Sequence, residues 1–255
     1  MDTDNGRKLK SLLDAHIPGT VYVAAWLGER GISHDLQRRY RKYGWLETVG
    51  TGAFKRPGEQ VTWQGGLYAL QAQSGRAVHA GALTALALQG FAHYIRLGAE
   101  TVFLFSPPAT KLPAWFLNHD WGQAMHHCKT SILPSGLALA DYRSGAFSVK
   151  ISAPERAFLE CLYLAPDSVD LVECYQVMAG LTTLRPKLLQ SLLEQCGSVK
   201  VKRLFLYMAE KAGHDWFKRL NAEKFDLGSG DRAITKGGIY VSRYGLILPK
   251  ALVNP

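Results

Sequence analysis

Cysteine is scarce: there are four in 255 residues, Cys128, Cys161, Cys174 and Cys196, and none stands at C-x-x-C spacing. This scatter excludes a zinc knuckle and a disulfide framework and predicts reduced, mostly buried thiols. Long apolar runs are missing as well. No stretch of about 18 apolar residues occurs, so no membrane-spanning helix is expected. The polar start MDTDNGRKLK lacks the apolar centre of a secretory signal. A soluble cytoplasmic protein is the expectation. The chain also has no G-x-S-x-G elbow, no Walker phosphate loop and no dinucleotide-binding glycine pattern, and no Ser, His and Asp set stands out. These absences argue for a non-enzymatic protein without a cofactor.

What the chain does have is positive charge. Thirty Lys and Arg against 21 Asp and Glu leave a net charge of +9. Such a balance favours a polyanionic partner through Coulomb attraction and counterion release. A hydrophobic content of 47% suffices for one large core or two modest ones.

Along the chain, Leu9, Leu12 and Leu13 recur at helical spacing, and Pro18-Gly19 ends that element. Thr20 is placed to cap a second helix through VYVAAWLGER, with Val23, Trp26 and Leu27 on one face and Gly31 as its stop. A third helix starts at Ser33, a good N-cap, with Asp35 in the positive first turn. Leu36, Tyr40 and Tyr43 at i, i+4 and i+7 are expected to face inward. Gly44 closes it. Strand WLETV then turns through Gly50-Thr51-Gly52 and returns as AFKR before Pro57-Gly58. Two Ala- and Leu-rich helices, WQGGLYALQAQSG and GALTALALQGFAHYI, follow, and then an apolar strand TVFLF. The proline-rich SPPATKLPAW reads as a loop, which places a domain boundary between Arg96 and Trp115. Beyond it come strand FSVKIS, a helix opening at Pro154, helical patterns over 169–179, 186–195 and 199–212, and a strand pair in GIYVSRYGLILP.

With its apolar stripe inward, the third helix exposes His34, Gln37, Arg38, Arg41 and Lys42 and leaves Arg39 near the flank. That mixture suits a major-groove reader. Arg offers two hydrogen bonds to guanine, Gln pairs with adenine, and Lys and Arg neutralise phosphates. In the hairpin, Thr51, Lys55 and Arg56 would form a wing against the neighbouring backbone. The alternative for a basic run of this kind is a solvated helix face. Two preceding helices, the Gly31 turn and a glycine-bounded hairpin favour the DNA-reading interpretation.

Other constellations carry less. His119, His126, His127 and Cys128 have no matching ligand cluster, so a polar loop or helix surface is expected there and no metal. Asp141 followed by Lys150 has the spacing of a metal-dependent nuclease, but Ser148 stands where the second carboxylate would be needed. Glu155 and Glu160 are five apart on a helix, and Glu155 beside Pro154 is expected to serve the helix N-terminus. A second basic concentration comprises Lys200, Lys202, Arg203, Lys211, Lys218, Arg219 and Lys224, interleaved with Leu204, Phe205, Met208 and Trp216. It reads either as a solvated face or as a second interaction surface.

The segments PGTVYVAAWLGERGISHDLQRRYRKYGWLETVGTGAFKR, VTWQGGLYALQ, SAPERAFLE and GGIYVSRYGLILP, in this order, resemble the AbiEi-type antitoxins of type IV toxin–antitoxin systems over nearly the whole chain. The resemblance implies an α+β protein. A winged helix-turn-helix DNA-binding domain with packed extra helices would occupy 1–96, and a C-terminal antitoxin domain of helices and a small sheet 97–255. It further implies binding to inverted repeats in the protein's own promoter, autorepression, and antagonism of a nucleotidyltransferase-type toxin. The recognition helix would run from Ser33 to Tyr43 and the wing from Thr51 to Arg56. No antitoxin motif maps onto the C-terminal part, where Lys200, Lys202, Arg203 and Lys211 are the residues singled out. A winged-helix nucleic-acid-processing enzyme and a ligand-sensing transcription factor are the competing readings.

Overall fold

A computed structural model describes residues 3–91 and 101–254. Helices and small sheets mix along the chain, which falls into two compact units. The first takes residues 1–79, 109–125 and 141–150, and the second 80–108, 126–140 and 151–255. Compactness therefore does not follow one cut between residues 96 and 97, since two later segments join the first unit. Part of the expected helix 81–95, and Arg96 with it, lies outside the described residues.

The first unit opens with helix α1 (Thr3–Asp14), strand β1 (Tyr22–Val23) and helices α2 (Ala24–Glu29) and α3 (His34–Lys42). Strands β2 (Glu47–Gly50) and β3 (Ala53–Lys55) form the hairpin, and β1 adds antiparallel to β3 with Tyr22 opposite Phe54. Residues 21–23, expected to be helical, are extended instead. Pairing with β3 captures this β-branched and aromatic run, and the Gln73 side chain completes the capture. Its oxygen accepts from Val23 N–H at 2.8 Å and its nitrogen donates to the Val21 carbonyl at 2.7 Å. Thr20 caps nothing, because α2 begins four residues later and the Thr20 hydroxyl donates to the Ile17 carbonyl.

Gly31, at φ +77°, lets the chain leave α2, and its N–H donates to the Gly28 carbonyl. Ser33 then caps α3 by accepting from Leu36 N–H. The core of this unit unites Leu9 and Leu12 of α1, Leu27 of α2, Leu36 and Tyr40 of α3, and Phe54 of β3. Tyr43, expected inside, is 67% exposed. The helix ends at Lys42, the backbone turns at Gly44, and Leu46 fills the core instead.

After the hairpin the chain runs through helix α4 (Trp63–Tyr68), strand β4 (His79–Ala80), helix α5 (Ala82–Leu88) and strand β5 (Val102–Ser106), the buried TVFLF run, to helix α6 (Ala114–Asn118). Within the first unit the hairpin packs on α6 so closely that a Cβ at Gly50 would lie 2.9 Å from that of Trp115.

Strands β6 (Met125–Lys129) and β7 (Leu139–Ser144) were not expected, and the His-His-Cys run lies on β6 rather than on a loop or helix surface. Strand β8 (Phe147–Ser152) is the expected FSVKIS. The second unit is built around helices α7 (Pro154–Leu164), α8 (Leu171–Gly180), α9 (Pro186–Gln195) and α10 (Val199–Ala212). All four stand where the periodicity places them. Asp170 and Ser198 cap α8 and α10, and Gly213 ends α10 in the left-handed region. Near the C-terminal end, the expected pair is β10 (Ile239–Val241) antiparallel to β11 (Leu246–Leu248), and the short β9 (Arg232–Ala233) adds parallel to β11.

Buried ions hold this unit together. Glu160 accepts from Ser152 Oγ at 2.7 Å, Arg156 Nε at 2.8 Å and Ala82 N–H at 3.1 Å, and Arg156 also donates to the Pro134 and Leu137 carbonyls. Glu155 is buried and meets Arg185 through its N–H, Nε and Nη2, all within 2.9 Å. It does more than serve a helix N-terminus. Burial acts to raise its pKa, and the Arg185 hydrogen bonds outweigh that and hold it below the ordinary glutamate value.

Candidate nucleic-acid interface

Helix α3 buries one side against α1, α2 and the sheet and turns the other to solvent. His34, Arg38, Arg39, Arg41 and Lys42 are exposed. Three of these cations, Arg39, Arg41 and Lys42, occupy the last turn, where the helix dipole favours positive charge. Arg39, read from the sequence as a flank residue, belongs to the exposed set. Arg38 pairs with Asp35 at 3.3 Å, both well exposed, so the contact constrains the guanidinium little. The Arg41 guanidinium lies 5.6 Å from the Phe54 ring centroid, which leans it towards the hairpin.

Gln37 departs from its expected role. It is 3% exposed, and its amide donates to the carbonyls of Ala24 and Ile32 at 2.9 and 2.8 Å. The buried stripe of α3 is wide enough to include the position next to Leu36, and the amide there ties α3 to the start of α2 and to the connecting turn. Gln37 is thus no base reader on the solvent face.

In the hairpin, Thr51 stands exposed at the tip and Arg56 at the exit. The tip is anchored where Ala24 N–H donates to the Gly52 carbonyl at 2.9 Å. Lys55 is committed internally. Its ammonium meets the Glu47 carboxylate across the strands at 3.1 Å and the Glu59 carbonyl at 2.9 Å. At the base, His16 hydrogen-bonds the Tyr22 hydroxyl and, at 2.6 Å, Glu59, whose second oxygen accepts from Gly19 N–H. Burial, reinforced by the Glu59 charge and opposed by Arg56, pushes the Tyr22 phenol up to about 12. This network braces the hairpin against α1 and its following turn.

The second basic concentration divides: Lys218, Arg219 and Lys224 are exposed, whereas its members on α10 do not form a surface. Lys202 and Arg203 are 4% and 6% exposed. Arg203 donates to the carbonyls of Leu227, Gly228, Gly230 and Gly245, fastening the loops around the C-terminal strands to α10. Lys200 donates to the Tyr163 and Ala165 carbonyls, and Lys211 to those of Leu252 and Val253. Helix α10 packs on both α7 and α8 and is buried nearly all round, so its cations serve as carbonyl clamps. Burial lowers the Lys200 pKa.

The histidines also go separate ways. His119 meets the Trp121 ring edge-on, His126 lies against Phe103, and His127 hydrogen-bonds Ser106 Oγ at 2.8 Å. Burial pushes the Cys128 thiol up to about 11. Asp141 and Lys150 pair at 2.8 Å in the open, with Ser148 on the same strand as the lysine. No three His, Cys, Asp or Glu side chains converge on a possible metal position among the described residues.

The chain matches the family described as AbiEi antitoxin N-terminal domain of a transcriptional regulator over residues 5–97. Over residues 99–249 it matches the family described as transcriptional regulator, AbiEi antitoxin, type IV toxin–antitoxin system. The crystal structure of the RV2827C protein from Mycobacterium tuberculosis has a similar fold, with TM-score 0.62, 16% identity, and coverage of 96% of this chain and 91% of that one. No match is found among curated proteins.

Proposed function

Because the chain belongs to the AbiEi antitoxin family of transcriptional regulators from type IV toxin–antitoxin systems, we propose that it binds inverted repeats in its own promoter, represses that operon, and antagonises a nucleotidyltransferase-type toxin. In this reading the α2–α3 pair with the β2–β3 hairpin is a winged helix-turn-helix. Helix α3 enters the major groove, and Thr51 and Arg56 approach the backbone beside it. Lys55 supports the wing from within.

One observation carries the reading. The helix that follows the Gly31 turn offers Arg38, Arg39, Arg41 and Lys42 to solvent on a face that a buried core holds rigid. Arg38, nearer the N-terminal half, is suited to a base edge, and the last-turn cations to phosphates. A mobility shift with the upstream promoter fragment against an unrelated fragment, over a range of salt, tests it. Selective binding that survives physiological salt is expected. Equal binding to both fragments that vanishes with salt would leave only nonspecific attraction and sink the autorepressor reading.

A further inference from the structure

At the start of α9 the second unit carries an open groove of about 860 Å³ that the operator-binding reading does not use. Its apolar part is Leu184, Pro186 and Leu188. Exposed cations border it: Arg185 and Lys187 from the α9 side, Arg219 and Lys224 from the facing loops. No lining residue carries a carboxylate. The walls are fastened across the groove, because Gln190 accepts from Asn221 N–H at 2.9 Å and donates to the Asn221 carbonyl at 3.2 Å. A cleft held open in this way does not have to be ordered on binding.

Arg185 is bound to the buried Glu155, so its charge is largely answered. Lys187, Arg219 and Lys224 have no ion-pair partner among the described residues. A small monoanion would meet one of these exposed charges at a time, and single exposed pairs are worth little. A chain with several carboxylates would meet all three together. Nucleic acid fits less well, because no aromatic ring lines the groove for a base to stack on, whereas aliphatic side chains would find matching apolar walls.

We propose that this groove is a docking site for an acidic polypeptide segment that also carries apolar side chains. The inference does not depend on operator binding, since every lining residue lies in the second unit. Promoter affinity therefore serves as an internal control.

The test uses the full-length protein and fluorescence anisotropy. The probes are a short labelled peptide alternating glutamate and leucine, a lysine–leucine counterpart, a glutamate-only peptide, and a DNA duplex lacking the operator. The glutamate–leucine peptide should saturate, the glutamate-only peptide should bind roughly tenfold more weakly, and the lysine–leucine peptide should not bind. Lys187→Ala with Arg219→Ala, both exposed, should weaken the first peptide by about tenfold or more, with the melting temperature and promoter affinity unchanged. Leu188→Ser should do the same through the apolar wall. Failure of the glutamate–leucine peptide to bind, or equal binding to wild type and both variants, would overturn the proposal. So would preferential binding of the duplex that the double variant abolishes, which would mark a nucleic-acid surface instead.

Discussion

Gln37 donates both amide protons to the carbonyls of Ala24 and Ile32, and a leucine at that position would leave the two oxygens without those donors. Gln37→Leu should therefore cost on the order of 1–3 kcal/mol in urea denaturation, the usual penalty for a buried acceptor deprived of its partner. Weakened promoter affinity at unchanged stability would return Gln37 to the role of base reader. Glu155 makes a second prediction, about pH. Its folded pKa lies below the ordinary value of 4.5, so the stability it contributes is present above that value and disappears as pH falls through the folded pKa. Glu155→Gln should be less stable than wild type at neutral pH, and the gap should narrow as pH drops below about 4. A gap that stays constant with pH would mean that Arg185 does not favour the ionised form. The residue types were readable in the sequence; their partners were not. Arg185 is thirty residues from Glu155, and nothing local announces it.

On helix α3 the boundaries and most of the exposed cations were readable because those signals are local, whereas Gln37 and Tyr43 were placed on the wrong sides. Ser33 caps it, Gly44 follows its end in the left-handed region, and its basic residues lie largely opposite Leu36 and Tyr40. Arg38→Ala combined with Arg41→Ala removes two exposed guanidinium groups from that face, so folding should stay within about 0.5 kcal/mol of wild type. If the two arginines read bases, promoter affinity should fall by roughly 1–3 kcal/mol for each; if they neutralise phosphates, the salt slope should fall by about 1 for each. Unchanged promoter affinity in the folded variant would remove α3 from the interface. The same local reasoning misjudged α10. A helix with an apolar stripe and scattered lysines looks amphipathic, yet neighbours on several sides and the C-terminal loops enclose it.

At the scale of the whole molecule, the net charge of +9 promises attraction to polyanions without saying where. The structure sorts the cations into an exposed set on α3, a set clamped inside the second unit, and a set bordering the groove at α9. This sorting suggests separable tasks. Under the proposed function, the Arg38→Ala, Arg41→Ala variant should still protect against the proposed toxin in a growth assay at equal protein level, and failure to protect there would show that DNA binding and the proposed neutralisation share one surface. The two family matches cover residues 5–97 and 99–249. In space, residues 109–125 and 141–150 return to the first unit, as no local signal predicts.

Periodicity, caps and glycine stops were enough to specify α1, α3 and α7 to α10, the hairpin and the C-terminal strand pair, because those signals act over a few residues. They also placed Arg38, Arg41 and Lys42 on the exposed side of α3. Tertiary structure alone decided that Tyr22 and Val23 become a strand, that Gln37 faces inward, and that Lys202 and Arg203 are buried. Each of these rests on a partner distant in the chain: β3 and Gln73 for β1, the start of α2 for Gln37, and the glycine-rich loops at 227–230 and 245 for Arg203. Periodicity shows which residues share a face of a helix, whereas what packs against that face depends on contacts formed only when the whole chain has folded.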